Sequence, residues 1–259
     1  MPGKKRNYVD HIEMVKDNDT WHHAPQKLPR MDPINLGDIY GVLPFDGVRN
    51  PSGRSNTSQK VFVPYRTAAN DWLPKVGIAE SGAEAAASVQ ALMCPDLYDL
   101  HFQPLEVTFT DEGGKTRQYT HDILLTFRSG YRRLVFVRNE ESLMKPRTVR
   151  DIQAVIDATP KEAADDLIVV NADDITRQRR ENLFRMYHYM SVQDDEADDI
   201  IWETARNLRT LYYMKDLFPH VPISQPRAFQ ACYRLVARKL IHANLDHVLW
   251  EYSQIGVAA

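Results

Sequence analysis

Residues 119–141, YTHDILLTFRSGYRRLVFVRNEE, constrain the fold of this chain more than any other stretch. One acid, Asp122, precedes the apolar run Ile123-Leu124-Leu125. A turn at Ser129-Gly130 then reverses the chain into a second apolar strand over 132–137 that ends in Arg138. Such a pairing predicts a buried strand pair. An ionised carboxylate on a central strand costs more than the roughly 2–7 kcal/mol of an unpaired neutral polar group, unless it is partnered. Asp122 is therefore expected to have a specific partner; the alternative is a charge on an edge strand that opposes aggregation.

With 259 residues and 43% hydrophobic content, the chain can bury a sizeable core without covalent staples. Cys94 and Cys232 stand far apart, without a CxxC spacing, and read as buried thiols of a reducing compartment. No apolar run approaches the roughly 18 residues of a membrane span, and the basic start at Met1 precedes no signal-peptide core. A soluble, cytoplasmic protein with no membrane partner is expected. A net charge of −3 confines any nucleic-acid surface to a local patch.

Residues 1–75 carry few periodic segments and many breakers, and read as an irregular arm. His22 and His23 beside Trp21 have no third ligand nearby and are not read as a metal site. From Glu80 a helix begins: Ser81 can cap it, and Glu84 holds the reciprocal position of a capping box. Pro95 ends it. Strands are predicted over 102–110, 118–127 and 132–138, with Asp111-Glu112-Gly113-Gly114 turning between the first two. A helix over 148–158 and a short, continuously apolar strand over 167–170 follow. The expected divisions are an arm (1–75), an α/β core with a mixed sheet (76–172) and a helical C-terminal domain (173–259).

Helix, three strands, helix, strand is the order of the PD-(D/E)XK nuclease core, and several local pieces resemble the TnsA transposon endonuclease family. In that family a serine three residues before a glutamate opens the first helix, as Ser81 and Glu84 do. A Gln-Pro pair begins the next strand, matched by Gln103-Pro104. An aromatic-x-x-Asp motif carries the metal-binding aspartate, matched by Tyr119 and Asp122. The resemblance spans about residues 55–255, and residues 245–253 look like the end of the family's winged-helix-like C-terminal domain. It implies a restriction-endonuclease-like fold, a Mg²⁺ or Mn²⁺ site on Glu84 and Asp122, and DNA and a transposase as partners.

Two positions depart from the family. Where a carboxylate or amide and a lysine are expected, this chain has Phe136 and Arg138. Hard cations take oxygen ligands, so Phe136 removes one; a guanidinium keeps positive charge but cannot lose its proton near neutral pH. If the strand ran on past Arg138, its two-residue repeat would put Glu140 on the same face as a displaced carboxylate. The catalytic candidates are thus Glu84, Asp122 and Arg138, with Glu140 as a rescue ligand.

In the C-terminal part, helices are predicted over 176–190, from the acidic run at 194–199 through 214, and over 225–241. On the last of these, Phe229, Cys232, Tyr233, Val236 and Leu240 share one side, and Arg227, Arg234 and Arg238 the other. That arginine face is the expected DNA-binding surface; a solvated face is the plainer alternative. Two functional readings follow. One is a DNA-binding or assembly subunit on a catalytically degenerate TnsA-like scaffold, in transposition or regulation. The other is an active metal-dependent endonuclease cutting transposon ends with a transposase.

Overall fold

The structure, a computed structural model, describes residues 39–51, 53 and 59–258. Trp21, His22, His23 and most of the turn-rich 50–58 loop lie outside the described residues.

Val61–Tyr65 (β1) turns Val63 and Tyr65 inward and pairs antiparallel with Lys75–Ala79 (β2). The expected boundary at residue 75 thus meets the first residue of β2, whose partner strand comes from the expected arm. The ring of Phe102 lies where a Cβ on Gly77 would stand, so only glycine permits this packing. Ahead of β1, Asp46 is clamped between buried Lys75 (2.6 Å) and His101 (3.1 Å). Burial pushes the Asp46 carboxyl up, but the hydrogen bonds and charges of His101 and Lys75 outweigh it and hold it at about 2.

Ser81 caps Gly82–Leu92 (α1), its Oγ accepting from the Glu84 amide at 3.1 Å. The buried face of α1 is mostly alanine, with Ala85 and Ala86 at 0% exposure, so the helix can sit close to the strands beneath it.

The central sheet has the order β3-β6-β7-β8. Leu97–Phe102 (β3) and Ile123–Phe127 (β6) are antiparallel. Arg132–Arg138 (β7) continues the antiparallel pairing, and Asp166–Asn171 (β8) joins β7 in parallel. Between β3 and β6 the chain leaves the sheet as a hairpin, Glu106–Thr110 (β4) and Thr116–Thr120 (β5). The two strands expected over 102–110 and 118–127 are therefore each broken. Gln103 sits in the left-handed region (φ 52°) before Pro104, which has no N–H to give a ladder. Its amide bonds the Asp122 carbonyl at 3.0 Å, so both breaks meet at one corner. The strand β3 itself was not anticipated.

Asn139 caps a single turn, Glu140–Leu143 (α2), and Pro146–Ala158 (α3) makes the crossover to β8. Side chains of β7 alternate between two cores. Val135 and Val137 join the larger one, while Phe136 packs with Val107, Phe109 and Val155 beneath α3 and the β4/β5 hairpin.

The C-terminal part continues the larger core. Thr176 caps Arg177–Ser191 (α4) and Asp194 caps Asp195–Asn207 (α5). Gln225–Ala237 (α6) packs against both. The helix expected through 214 stops at Asn207, and that expected through 241 stops at Ala237, where Lys239 takes a left-handed φ of 61°. Ile241–Ala243 (β9) and Ile255–Val257 (β10) close the chain as an antiparallel pair. Cys232 is buried and its thiol pushed up to about 12 by that burial, whereas Cys94 is only half-buried. The architecture is mixed α/β around a mixed sheet. Among the described residues no helix is long and apolar enough to cross a membrane.

Candidate functional site

Asp122 stands at the corner between β5 and β6, 4% exposed, facing the end of β7. Its Oδ2 accepts from the Val137 amide and from Arg138 Nη1, both at 3.2 Å. Arg138 is held from several directions. Nη2 donates to the Tyr119 hydroxyl at 2.8 Å, Nη1 also reaches the Val137 carbonyl at 2.6 Å, and the guanidinium carbon lies 4.6 Å above the Phe136 ring. Tyr119 and Phe136 stack with centroids 4.5 Å apart and planes within 6°. Phe136 therefore does more than remove an oxygen: it forms the floor on which the arginine rests.

His121 closes the aromatic layer edge-on, 5.4 Å from Tyr119. The Thr159 hydroxyl donates to the Val155 carbonyl, so at 3.0 Å from His121 Nε2 it accepts from that nitrogen. The proton is then on Nε2, and Nδ1 is a buried acceptor without a partner. Burial alone holds this imidazole down to about 4.

Glu84 meets this corner from α1 and is 3% exposed. Its Oε2 accepts from the Glu80 amide at 2.9 Å, one residue before the amide a reciprocal capping box would use, and Oε1 is buried without a partner. Burial first, and then the charge of Asp122, push the Glu84 carboxyl well above the usual carboxylate range. Burial also raises Asp122, against the charge of Arg138 and the Val137 hydrogen bond. Asp122 has a cation and an amide to offset its burial, whereas Glu84 has one amide. Around the rim, Glu80 pairs with Arg49 at 2.8 Å and Lys60 at 3.4 Å. Fully buried Gln103 accepts from Arg49 at 3.3 Å, leaving its Nε2 unpartnered. Glu80, Arg49 and Lys60 were not among the sequence candidates; no local motif marks them.

Glu84, Asp122 and Arg138 thus lie together, with Ser81, Gln103 and Tyr119 supporting them. Glu140 does not join them. β7 ends at Arg138 because the Asn139 side chain accepts from the Ser142 amide, and Glu140 becomes an exposed first-turn residue of α2 whose amide bonds Asp173.

A divalent cation would need several free oxygens. Oδ2 of Asp122 is occupied by Arg138, and among the described residues no three His, Cys, Asp or Glu side chains gather as a metal site. In this arrangement the residues do not fit Mg²⁺ or Mn²⁺. Arg138 cannot serve as a titrating base either.

The arginine face of α6 is also corrected. Arg234 is fully buried, with Nε 2.7 Å from Asp198 Oδ1, and Arg238 takes the other oxygen of Asp198 at 2.8 Å. Arg227 forks onto Asp194, with Nε and Nη2 both at 2.8 Å, and reaches Glu196 at 2.7 Å. These guanidinium groups all pair with the acidic start of α5. The helical wheel correctly separated them from the apolar side, but packing against α5 takes Arg234 into the interior, out of reach of solvent, and leaves Arg227 and Arg238 partly exposed.

No protein-family model matches this chain, and no curated protein matches it significantly.

Proposed function

We propose that this protein is a non-cleaving subunit on a TnsA-like nuclease scaffold, acting in DNA transposition or its regulation by binding DNA or by assembling with a transposase. The observation that carries the reading is Arg138 seated on Asp122, 3.2 Å from Oδ2, where the resemblance implies a metal. The Phe136–Tyr119 stack beneath Arg138 supports the same closed state. A restriction-endonuclease-like core and a winged-helix-like C-terminal part, ending in the β9/β10 hairpin, belong to this proposal.

The second reading, an active Mg²⁺- or Mn²⁺-dependent endonuclease, is favoured by one observation: the two family carboxylates, Glu84 and Asp122, are buried within electrostatic reach of each other. It requires Arg138 to leave Asp122. A nicking assay on supercoiled DNA with either cation, alone and with a transposase partner, separates the two. The expected result is no nicking above the level of Asp122→Ala, with binding to DNA or partner retained. Nicking by the native protein that disappears in Asp122→Ala would overturn the proposal.

A further inference from the structure

The C-terminal part carries a second feature, remote in chemistry from the closed pocket. Tyr212, Trp250, Tyr252 and Tyr213 are exposed by 67%, 56%, 47% and 38%, so this quarter of the surface presents four rings to solvent. Two crossing segments hold them. The Met214 amide bonds the Ser253 carbonyl at 3.0 Å, Lys215 bonds the Glu251 carbonyl at 2.7 Å, and Ile255 bonds the Tyr212 carbonyl at 3.0 Å. Asp216 spends its Oδ2 on the amides of Tyr212 and Tyr213, at 3.1 and 2.8 Å. The rings are therefore mounted on a backbone fixed before any ligand arrives.

Cations lie among these rings. Lys215 Nζ sits 4.0 Å from the Tyr252 centroid and 5.8 Å from that of Tyr213, and among the described residues it makes no ion pair. Trp250 and Tyr252 are 4.8 Å apart. Past Tyr212, a depression of about 380 Å³ is lined by Arg206 and exposed Arg209 together with Gly256 and Val257, the residues that follow Ile255 in β10. Arg206 is partly engaged by Glu203 at 3.4 Å, while Arg209 has no ion pair among the described residues. Flat faces with one cation seated on them and two arginines in the neighbouring depression are what an unpaired polynucleotide needs: its bases stack and its phosphates are neutralised.

From this juxtaposition we infer that the surface formed by Tyr212, Tyr213, Trp250 and Tyr252 with Lys215 and Arg209 binds single-stranded nucleic acid. The surface stands on its own residues and not on the Asp122 pocket, so either assignment can fail alone. A duplex keeps its base faces stacked inside the helix and offers the rings only edges and backbone. Every large hydrophobic side chain exposed on this strip is aromatic, and cations border it, which favours stacked bases over an aliphatic protein helix.

The test is fluorescence anisotropy of the full chain with labelled oligo-dT, oligo-U and a duplex of equal length. Single strands should bind more tightly than duplex, and the better of dT and U identifies DNA or RNA as the source. Replacing an exposed ring by alanine, Tyr212→Ala or Trp250→Ala, should weaken binding about tenfold each. Arg209→Ala should reduce the salt slope by about 0.7. Because Trp250→Phe keeps a ring, it should retain affinity within about threefold while losing the tryptophan quenching seen on binding, which separates stacking from misfolding. Equal or tighter duplex binding, no binding, or binding indifferent to the ring variants overturns the inference. So does a change of oligomeric state or of anionic-vesicle binding in those variants without an effect on single strands.

Discussion

Two of the buried aspartates held by arginine, Asp198 and Asp122, differ in how completely they are paired. In the C-terminal part, Asp198 has a guanidinium on each oxygen, from Arg234 and Arg238, and joins α5 to α6. At the sheet corner, Asp122 has Arg138 on one oxygen and shares the site with a second buried carboxyl, Glu84, whose Oε1 has no partner. The first pair is a structural staple in which nearly every charge is answered. The second is held closed while burial and the charge of Asp122 raise the Glu84 carboxyl, and a buried histidine keeps a bare nitrogen. Both places leave a buried polar atom unsatisfied, Arg234 Nη2 in one and Glu84 Oε1 in the other; what distinguishes the second is a second buried carboxyl beside the paired aspartate.

Removing the anion from each pair is the sharpest way to break this comparison. Asp198→Ala leaves Arg234, at 0% exposure, as an unpaired buried charge, and should cost about 3–5 kcal/mol in a denaturant titration. Asp122→Ala should cost less, about 1–2 kcal/mol, because half-buried Arg138 can turn to water and Glu84 loses a repelling neighbour. Equal losses would mean that the two pairs do the same work.

Glu84→Gln sharpens the contrast through pH. The folded Glu84 carboxyl titrates above its unfolded value, so its contribution is full below pH 4.5 and is lost as pH rises through the folded value. The glutamine variant should therefore be more stable than the native protein near pH 8, by on the order of 1 kcal/mol, and equal to it near pH 4. Melting temperatures across that range check the sign; a destabilised variant at pH 8 would place a charged Glu84 in the fold.

The smallest effect belongs to His121. Its imidazole is held down to about 4 from 6.5, so the stability it contributes as a neutral ring is present above pH 6.5 and lost as pH falls towards 4. His121→Phe should flatten that limb of the stability curve while changing stability at pH 7 by less than about 1.5 kcal/mol. An unchanged acid limb would show that His121 does not set it.

Much of the scaffold was legible because its signals are local. Ser81 caps its helix, the Asp111–Gly114 and Ser129-Gly130 turns sit between strands, and Asn139 stops β7, all through bonds within a few residues. The break at Gln103 was harder to read, since a left-handed glutamine before proline is stabilised by Asp122, far along the chain. Glu140 failed as a ligand for a local reason, the Asn139 cap, that turn propensity at Asn139 already signalled.

The sequence by itself determined the alternation, caps and turns that make a mixed α/β chain, and it put an aspartate and an arginine at the ends of neighbouring strands. Tertiary structure decided what the charges do. Whether Arg138 grips Asp122, whether Arg234 faces water or Asp198, and whether Lys215 meets Tyr252 depends on which elements pack side by side. Charge and exposure are properties of that packing, and one helix wheel or strand repeat describes only its own element.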